Sequence, residues 1–299
     1  MLYSLQAGRA AAAILVMLFH LNGLFNSGKY WQGSPFGRVF DFGHSGVMFF
    51  FVLSGFIIAH VHARDLNCPG RVLPYLFNRF RRVYPIYWCV LAPVVAVFIL
   101  FPGFGTGAER DPLVILSSIT LLHFTDATTL AVAWTLYHEV LFYSLFAIAI
   151  INRQVGFALL IAWIALSAVV CDGFLFALVH VDFGMGMAAA WAVRRFRIPV
   201  AAVLALVGVL AFLVTGWDEI YGEALTPNQS ALGYGIASTL IILGTVELER
   251  SGRLNVNNAW RMLGDASYVL YLIHYPLLSF LAKLFVRLPI PVFVAYALR

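Results

Sequence analysis

Arg9 and His20 lie in the first hydrophobic stretch with ten residues between them. At 100° per residue an α-helix brings both to one face, within about 20° of each other. At 1.5 Å per residue it holds them about 16 Å apart, half the hydrocarbon core of a bilayer. One helix thus carries a cation near one membrane surface and a titratable imidazole far across. Ionisable groups inside a membrane are costly and mark substrate paths or reactive centres. The structural alternative makes Arg9 an interfacial anchor and His20 the cap of the other end.

Four further groups of residues carry possible chemistry. Trp134-Thr135-Leu136-Tyr137-His138-Glu139, followed by Phe142 and Tyr143, opens a hydrophobic segment. It sets Glu139 about a turn and a half inside the surface, at the depth expected for His20. A buried carboxylate there needs a partner. We therefore expect a Glu139–His20 pair in which the carboxylate fixes the imidazole tautomer and raises its basicity. His138 points about 100° away, towards head groups or a neighbour. Arg79-Phe80-Arg81-Arg82 stands just before Pro85, which is expected to start a helix. If the residues before it are helical, Arg79 and Arg82 share a face, and two planar guanidiniums suit a phosphate or pyrophosphate. The same arginines also serve as a plain topology signal or a contact for anionic lipid.

Gly46-Val47-Met48-Phe49-Phe50-Phe51-Val52-Leu53-Ser54-Gly55-Phe56 reads as a tightly packed helix. Ser54 and Gly55 also leave room for a narrow ligand. Ser267, Tyr271 and His274, spaced four and three apart, form one polar stripe ahead of Pro276. In lipid such a stripe faces protein or water, as an interhelical seam or as part of a substrate path. His180 and Asp182 do not share a helix face, and no role follows for this intramembrane acid. Cys68, Cys89 and Cys171 are odd in number and scattered, which gives neither a disulfide framework nor a metal-ligand pattern.

The elements that position these residues follow from composition. Hydrophobic residues make up 62% of the 299 and charged ones 11%, where a soluble chain is about a quarter charged. Mean hydropathy is +0.89. This is an all-α, polytopic transmembrane bundle, expected as a single integral-membrane domain over 1–299 with about nine to ten spans. The expected spans are 5–24, 46–63, 85–101, 132–151, 155–171, 174–193, 198–216, 230–248 and 267–286. No small-residue cleavage site follows the first stretch, which reads as an uncleaved helix. Pro289-Ile290-Pro291 opens a last apolar segment only half a span long.

The segment 112–126 is ambiguous, and the positive-inside rule decides it. If it does not cross and the N-terminus is cytoplasmic, 13 Lys and Arg fall inside and 5 outside, the latter including Lys29 and Arg287. If it crosses, the counts become 8 and 10. In the non-crossing arrangement Trp31, Trp134 and Trp217 fall near the outer interface, and Trp88, Trp191 and Trp260 near the inner one. The net charge of +5 thus belongs to cytoplasmic loops and not to nucleic-acid binding.

The motifs together resemble the membrane-bound acyltransferase family 3, the bacterial O-acyltransferases of surface polysaccharides. Five of them match in order: Arg-x10-His, the Gly-Val to Ser-Gly-Phe helix, Arg-x-x-Arg before a proline, Trp-Thr-Leu-x-x-Glu with Phe-Tyr, and Ser-Tyr-x-Leu-Tyr-Leu-x-His-x-Pro. The opening Leu5-Gln6-Ala7-Gly8-Arg9 looks most like the exopolysaccharide-production acetyltransferases. Met48 stands where the family usually has Asp, and Thr135 replaces Ser.

The resemblance implies an acyltransferase of the bacterial inner membrane. It implies acyl-CoA, usually acetyl-CoA, as donor substrate, with no permanently bound cofactor and no metal. The acceptor would be a hydroxyl of an exopolysaccharide or lipid-linked glycan. His20 and Glu139 would be catalytic, Arg79, Arg82 and Arg9 would hold the donor, and Ser54, Tyr271 and His274 would line the path. Membrane lipids are the other expected partners, and the oligomeric state stays open. The alternatives are O-acylation of a lipid or small molecule, and proton-coupled transport of a small anion or sugar.

Overall fold

A computed structural model describes residues 2–27 and 36–287. Lys29 and Trp31 and the Pro289-Ile290-Pro291 segment lie outside them. Among the described residues the chain is helical, with no strand. Ten α-helices follow in order: α1 Tyr3–Asn26, α2 Gly46–Val61, α3 Val72–Leu100, α4 Pro112–Thr120, α5 Trp134–Ile151, α6 Arg153–Val170, α7 His180–Arg195, α8 Ala201–Tyr221, α9 Pro227–Arg250 and α10 Asn258–Arg287.

Eight of them, all but α4 and α7, are long and apolar enough to cross a membrane. Caps set several boundaries. Asn152 accepts from the backbone N–H groups of Gln154 and Val155 at the start of α6, and Thr226 with Gln229 forms a capping box ahead of α9. Large apolar side chains left exposed, such as Leu210, Leu213 and Val214 on α8, face outward as a lipid-facing surface requires.

Close approaches between glycines and neighbouring helices fix the directions. Gly46 lies against the Ala12 carbonyl, and Gly43 against that of Leu15, so α2 runs antiparallel to α1. Gly264 abuts Gln6, and His274 meets His20, so α10 runs parallel to α1. Gly55 abuts the backbone of Phe183, Gly186 that of Val52 and Phe56, and His60 shares a recess with Arg194. α7 is therefore parallel to α2. At 16 residues α7 extends about 24 Å. It joins the far end of α6 to the near end of α8, so it completes a ninth pass.

Two expectations about boundaries change. α3 begins at Val72, not at Pro85. Pro85 and Pro93 both lie inside it, tolerated because a membrane bundle re-satisfies the freed carbonyls. Arg79 and Arg82 are therefore on the helix, one turn apart, and Trp88 sits midway along it instead of at an interface. α4 is nine residues long, about 14 Å, too short to cross, which agrees with the non-crossing arrangement. It ends at Leu121 in the left-handed region (φ 53°), and the chain turns back. Residues 101–133 thus fold over this end of α3 and α5. Trp134 consequently does not mark the outer surface; Thr135 beside it already bonds to the middle of α10.

Candidate active site

α1 and α10 run side by side, and the polar stripe of α10 faces the Arg9–His20 face of α1. Arg9 Nε donates to Ser267 Oγ (3.1 Å), whose hydroxyl donates to the Gly264 carbonyl. Two turns along, His274 Nε2 lies 3.1 Å from His20 Nδ1. Between these contacts, Tyr271 projects from α10. The stripe is thus an interhelical seam, and it links the two ionisable groups of α1.

At the Arg9 end the seam opens into a cavity of about 80 Å³, partly open to the outside. Arg9, Arg79, Arg82, Ser54, Glu139 and Tyr143 supply its main polar lining, and Val47, Phe50, Leu53 and Val83 part of its apolar wall. Three guanidiniums share this space with one carboxylate. Glu139 accepts from Ser54 Oγ (2.9 Å) and from the hydroxyl of Tyr143, one turn further along α5. Arg79 lies 5.9 Å from the centre of the Tyr143 ring and 6.0 Å from that of Tyr75, within cation–π range. Its Nε is buried and has no hydrogen-bond partner. A buried unpartnered guanidinium N–H is costly, and an anion would satisfy it.

The expected Glu139–His20 pair does not form. Glu139 sits with Ser54 and beside Arg9, whereas His20 is about 16 Å further along α1. The expectation placed Trp134 at the membrane surface. The fold-over of residues 101–133 pushes the start of α5 inwards and carries Glu139 to the Arg9 level. What holds His20 is instead His274. His274 Nδ1 lies 3.2 Å from the Leu270 carbonyl, and His20 Nδ1 lies 3.0 Å from that of Val16. Carbonyls only accept, so both Nδ1 atoms carry the proton. The single His20 Nδ1–H is then shared between the Val16 carbonyl and His274 Nε2 as a three-centre bond, which leaves His20 Nε2 as the unprotonated nitrogen.

Three further groups surround the site. Tyr143 and Tyr268 line the cavity, and Tyr268 donates to the Val83 carbonyl (2.9 Å). Beyond His20, Phe19 makes edge contacts with the rings of both His20 and His44. His44 pairs with Glu219 (2.5 Å), whose other oxygen accepts from Tyr234. A carboxylate-backed histidine thus exists at this end, but built from three segments too distant in sequence to show periodicity. The third group is His138, bonded to His180 at 2.8 Å; His180 in turn meets Ser167. His138 faces this neighbour, away from the cavity. Asp182 is buried against Gly235, where a Cβ would strike its carboxylate. Among the described residues no three metal-type side chains converge, and all three cysteines are free.

The family model described as "Acyltransferase domain" matches residues 2–298. The Exopolysaccharide production protein ExoZ of Rhizobium meliloti (strain 1021) is 28% identical over 266 residues, which is 83% of this chain and 80% of that protein. Protein 2 in picA locus of Rhizobium radiobacter is 38% identical over 80 residues, 26% of this chain and 41% of that protein. No solved structure matches. With the match running almost end to end over a multi-pass helical bundle, the chain belongs to acyltransferase family 3 and is a membrane acyltransferase.

Proposed function

We propose that the enzyme moves an acyl group, typically acetyl, from cytosolic acyl-CoA to a hydroxyl of an exopolysaccharide or lipid-linked glycan. The observation that carries this reading is the continuous line from the three-arginine cavity, through Ser267, Tyr271 and His274, to His20. Arg79 and Arg82 would take phosphate oxygens of the donor, with Arg9 beside them, and the unpartnered Nε of Arg79 supports an anion there. Ser54, Thr135 and Tyr143 offer hydroxyls to the amide groups of the donor's arm, which would reach along the seam. The acceptor class rests on the likeness to the exopolysaccharide production protein. The chain would lie in the bacterial inner membrane with its N-terminus cytoplasmic, as the distribution of arginines implies.

In this reading the acceptor hydroxyl attacks the thioester carbonyl. His20 Nε2 removes the hydroxyl proton as the C–O bond forms. The C–S bond then breaks, and the imidazolium returns a proton to the departing thiolate. Alternatively His20 carries the acyl group transiently. His274 acts as a positioning residue, holding the tautomer that leaves Nε2 available. Acyl-CoA is a substrate here, and no resident cofactor is invoked.

The test uses purified protein in lipid nanodiscs with radiolabelled acetyl-CoA and the polysaccharide fraction of the producing cell. We expect His20→Ala to lower transfer by roughly 100- to 10,000-fold, the usual worth of a general base, while the protein stays folded and retains donor binding. Near-normal acetylation by that variant would refute the assignment. Labelled lipid in place of labelled glycan would move the acceptor class to lipid.

A further inference from the structure

Close packing brings a second histidine beside His20. A Cβ on Gly43, in the tight turn Asp41–Ser45, would strike the Leu15 carbonyl and the Cβ of Phe19, so the turn lies directly on α1. A Cβ on Gly216 would strike the Phe42 ring, and one on Gly233 would crowd Thr215, so α8 and α9 close on the same turn. His44, Glu219 and Tyr234 meet at that point. Glu219 accepts from His44 Nε2–H (2.5 Å) and from the Tyr234 hydroxyl (2.5 Å). His44 Nε2 thus carries the proton, and Nδ1 holds the lone pair. The Phe19 ring touches both imidazoles, its centre 5.0 Å from that of His20 and 5.5 Å from that of His44. All three residues are only partly buried, and the side chains of His44 and Glu219 are 36% and 28% exposed. A tie between helices needs no such opening, whereas a ligand site does.

Building on the glycan-acceptor reading, we propose that His44 binds the acceptor sugar, its Nδ1 accepting from one hydroxyl while a second hydroxyl of the same sugar residue reaches His20 Nε2. The Glu219 carboxylate fixes the tautomer that leaves Nδ1 as an acceptor, and Tyr234 holds the carboxylate in place. The two imidazoles flank one phenyl ring, a span that a sugar with hydroxyls on opposite edges can bridge, and Phe19 supplies the apolar surface between them. A lipid alcohol offers a single hydroxyl and engages one imidazole only, so the pair selects a polyol. A site built to hydrogen-bond a hydroxyl rejects a ligand that lacks it, because the site's polar group is then left unpaired. No proton moves to His44: the attacking hydroxyl still gives its proton to His20.

The experiment measures acetyl transfer to the polysaccharide fraction of the producing cell by protein in nanodiscs, with acceptor and acetyl-CoA varied in turn. His44→Gln keeps an N–H that can donate to Glu219 in place of Nε2, but it has no acceptor at the Nδ1 position. His44→Asn does the reverse. His44→Gln should raise the acceptor KM by about three- to tenfold, the worth of one hydrogen bond, and the KM for acetyl-CoA should not follow it. His44→Asn should raise the acceptor KM by less. A merely structural tie predicts the opposite order, with a normal acceptor KM in His44→Gln and a lowered melting temperature in His44→Asn. Tyr234→Phe releases one side of the carboxylate and should raise the acceptor KM in the same direction, which provides the independent arm should His44→Gln fail to fold. A wild-type acceptor KM in His44→Gln, or in Tyr234→Phe where it stands in, would overturn the assignment of His44 while leaving the glycan reading intact. A wild type that labels lipid and no glycan would overturn the acceptor reading and His44 with it.

Discussion

Two backbone carbonyls and a second imidazole fix the tautomer of His20, a task the sequence assigned to Glu139. The consequence is measurable in double-mutant cycles on transfer rate. His274→Gln should lower transfer by about 10- to 100-fold, less than His20→Ala within the general-base range. Because the two rings act as a unit, the double variant should be scarcely worse than His20→Ala alone. His20→Ala and Glu139→Gln share no partner and lie about 16 Å apart, so their effects should multiply. Cycles with the reverse pattern would restore the Glu139–His20 pair. The donor side has its own test. Arg79→Lys and Arg82→Lys keep the charge but lose the planar fork; each should raise KM for acyl-CoA by about tenfold and leave kcat nearly unchanged. Helical spacing made the Arg9–His20 face and the Ser267–Tyr271–His274 stripe legible, because one-dimensional periodicity suffices for them. The partner of His20 was not legible, because it depends on the depth at which α5 begins.

Among the elements, α2 is defined by what its small residues permit. A Cβ on Gly55 would collide with the backbone of Phe183, and one on Gly186 with that of Val52. The Gly-rich sequence of α2 thus does serve as a packing face, against α7, while Ser54 on another side of the same helix reaches Glu139. Gly55→Val and Gly186→Val should each lower the melting temperature in detergent, with an overpacking cost of about 1–3 kcal/mol. Gly70→Ala, which meets nothing within 4 Å, should leave it unchanged. Equal melting of all three variants would remove the close helix contact. α4 was ambiguous by hydropathy, and charge balance resolved it; its observed nine residues explain why. Single cysteines at Thr106 and Ala127, in a protein freed of its native cysteines, should react with an impermeant reagent from the same side. The start of α3 escaped because an isolated Pro after a basic run is the ordinary mark of a helix N-terminus. Here it lies inside, and that shift is what brings Arg79 and Arg82 into the cavity.

At the scale of the whole molecule the two ends differ in kind. The Arg9 end carries the three-guanidinium cavity, together with Arg197 and Arg250 paired to Glu247 and Arg194 in a recess beside Arg250. Glu249 there caps the first backbone N–H groups of α1 through Tyr3 and Ser4. The His20 end carries His274, Phe19 and the His44–Glu219–Tyr234 cluster, groups suited to hydroxyl ligands. Donor and acceptor should therefore approach from opposite faces of the membrane. If the arginine-rich end is cytoplasmic, inside-out membrane vesicles should release thiol from acyl-CoA added to the medium. Right-side-out vesicles, sealed and matched for protein content, should not do so until they are permeabilised. A charged, phosphorylated donor does not cross the bilayer unaided, so the difference reads the side on which the cavity opens. His20→Ala in the same inside-out vesicles supplies the background, since it leaves the cavity and its sidedness in place. Thiol release from sealed right-side-out vesicles at the inside-out rate would invert the bundle. The donor arginines would then face away from the cytosol, and the charge balance would have to be explained by lipid contacts instead.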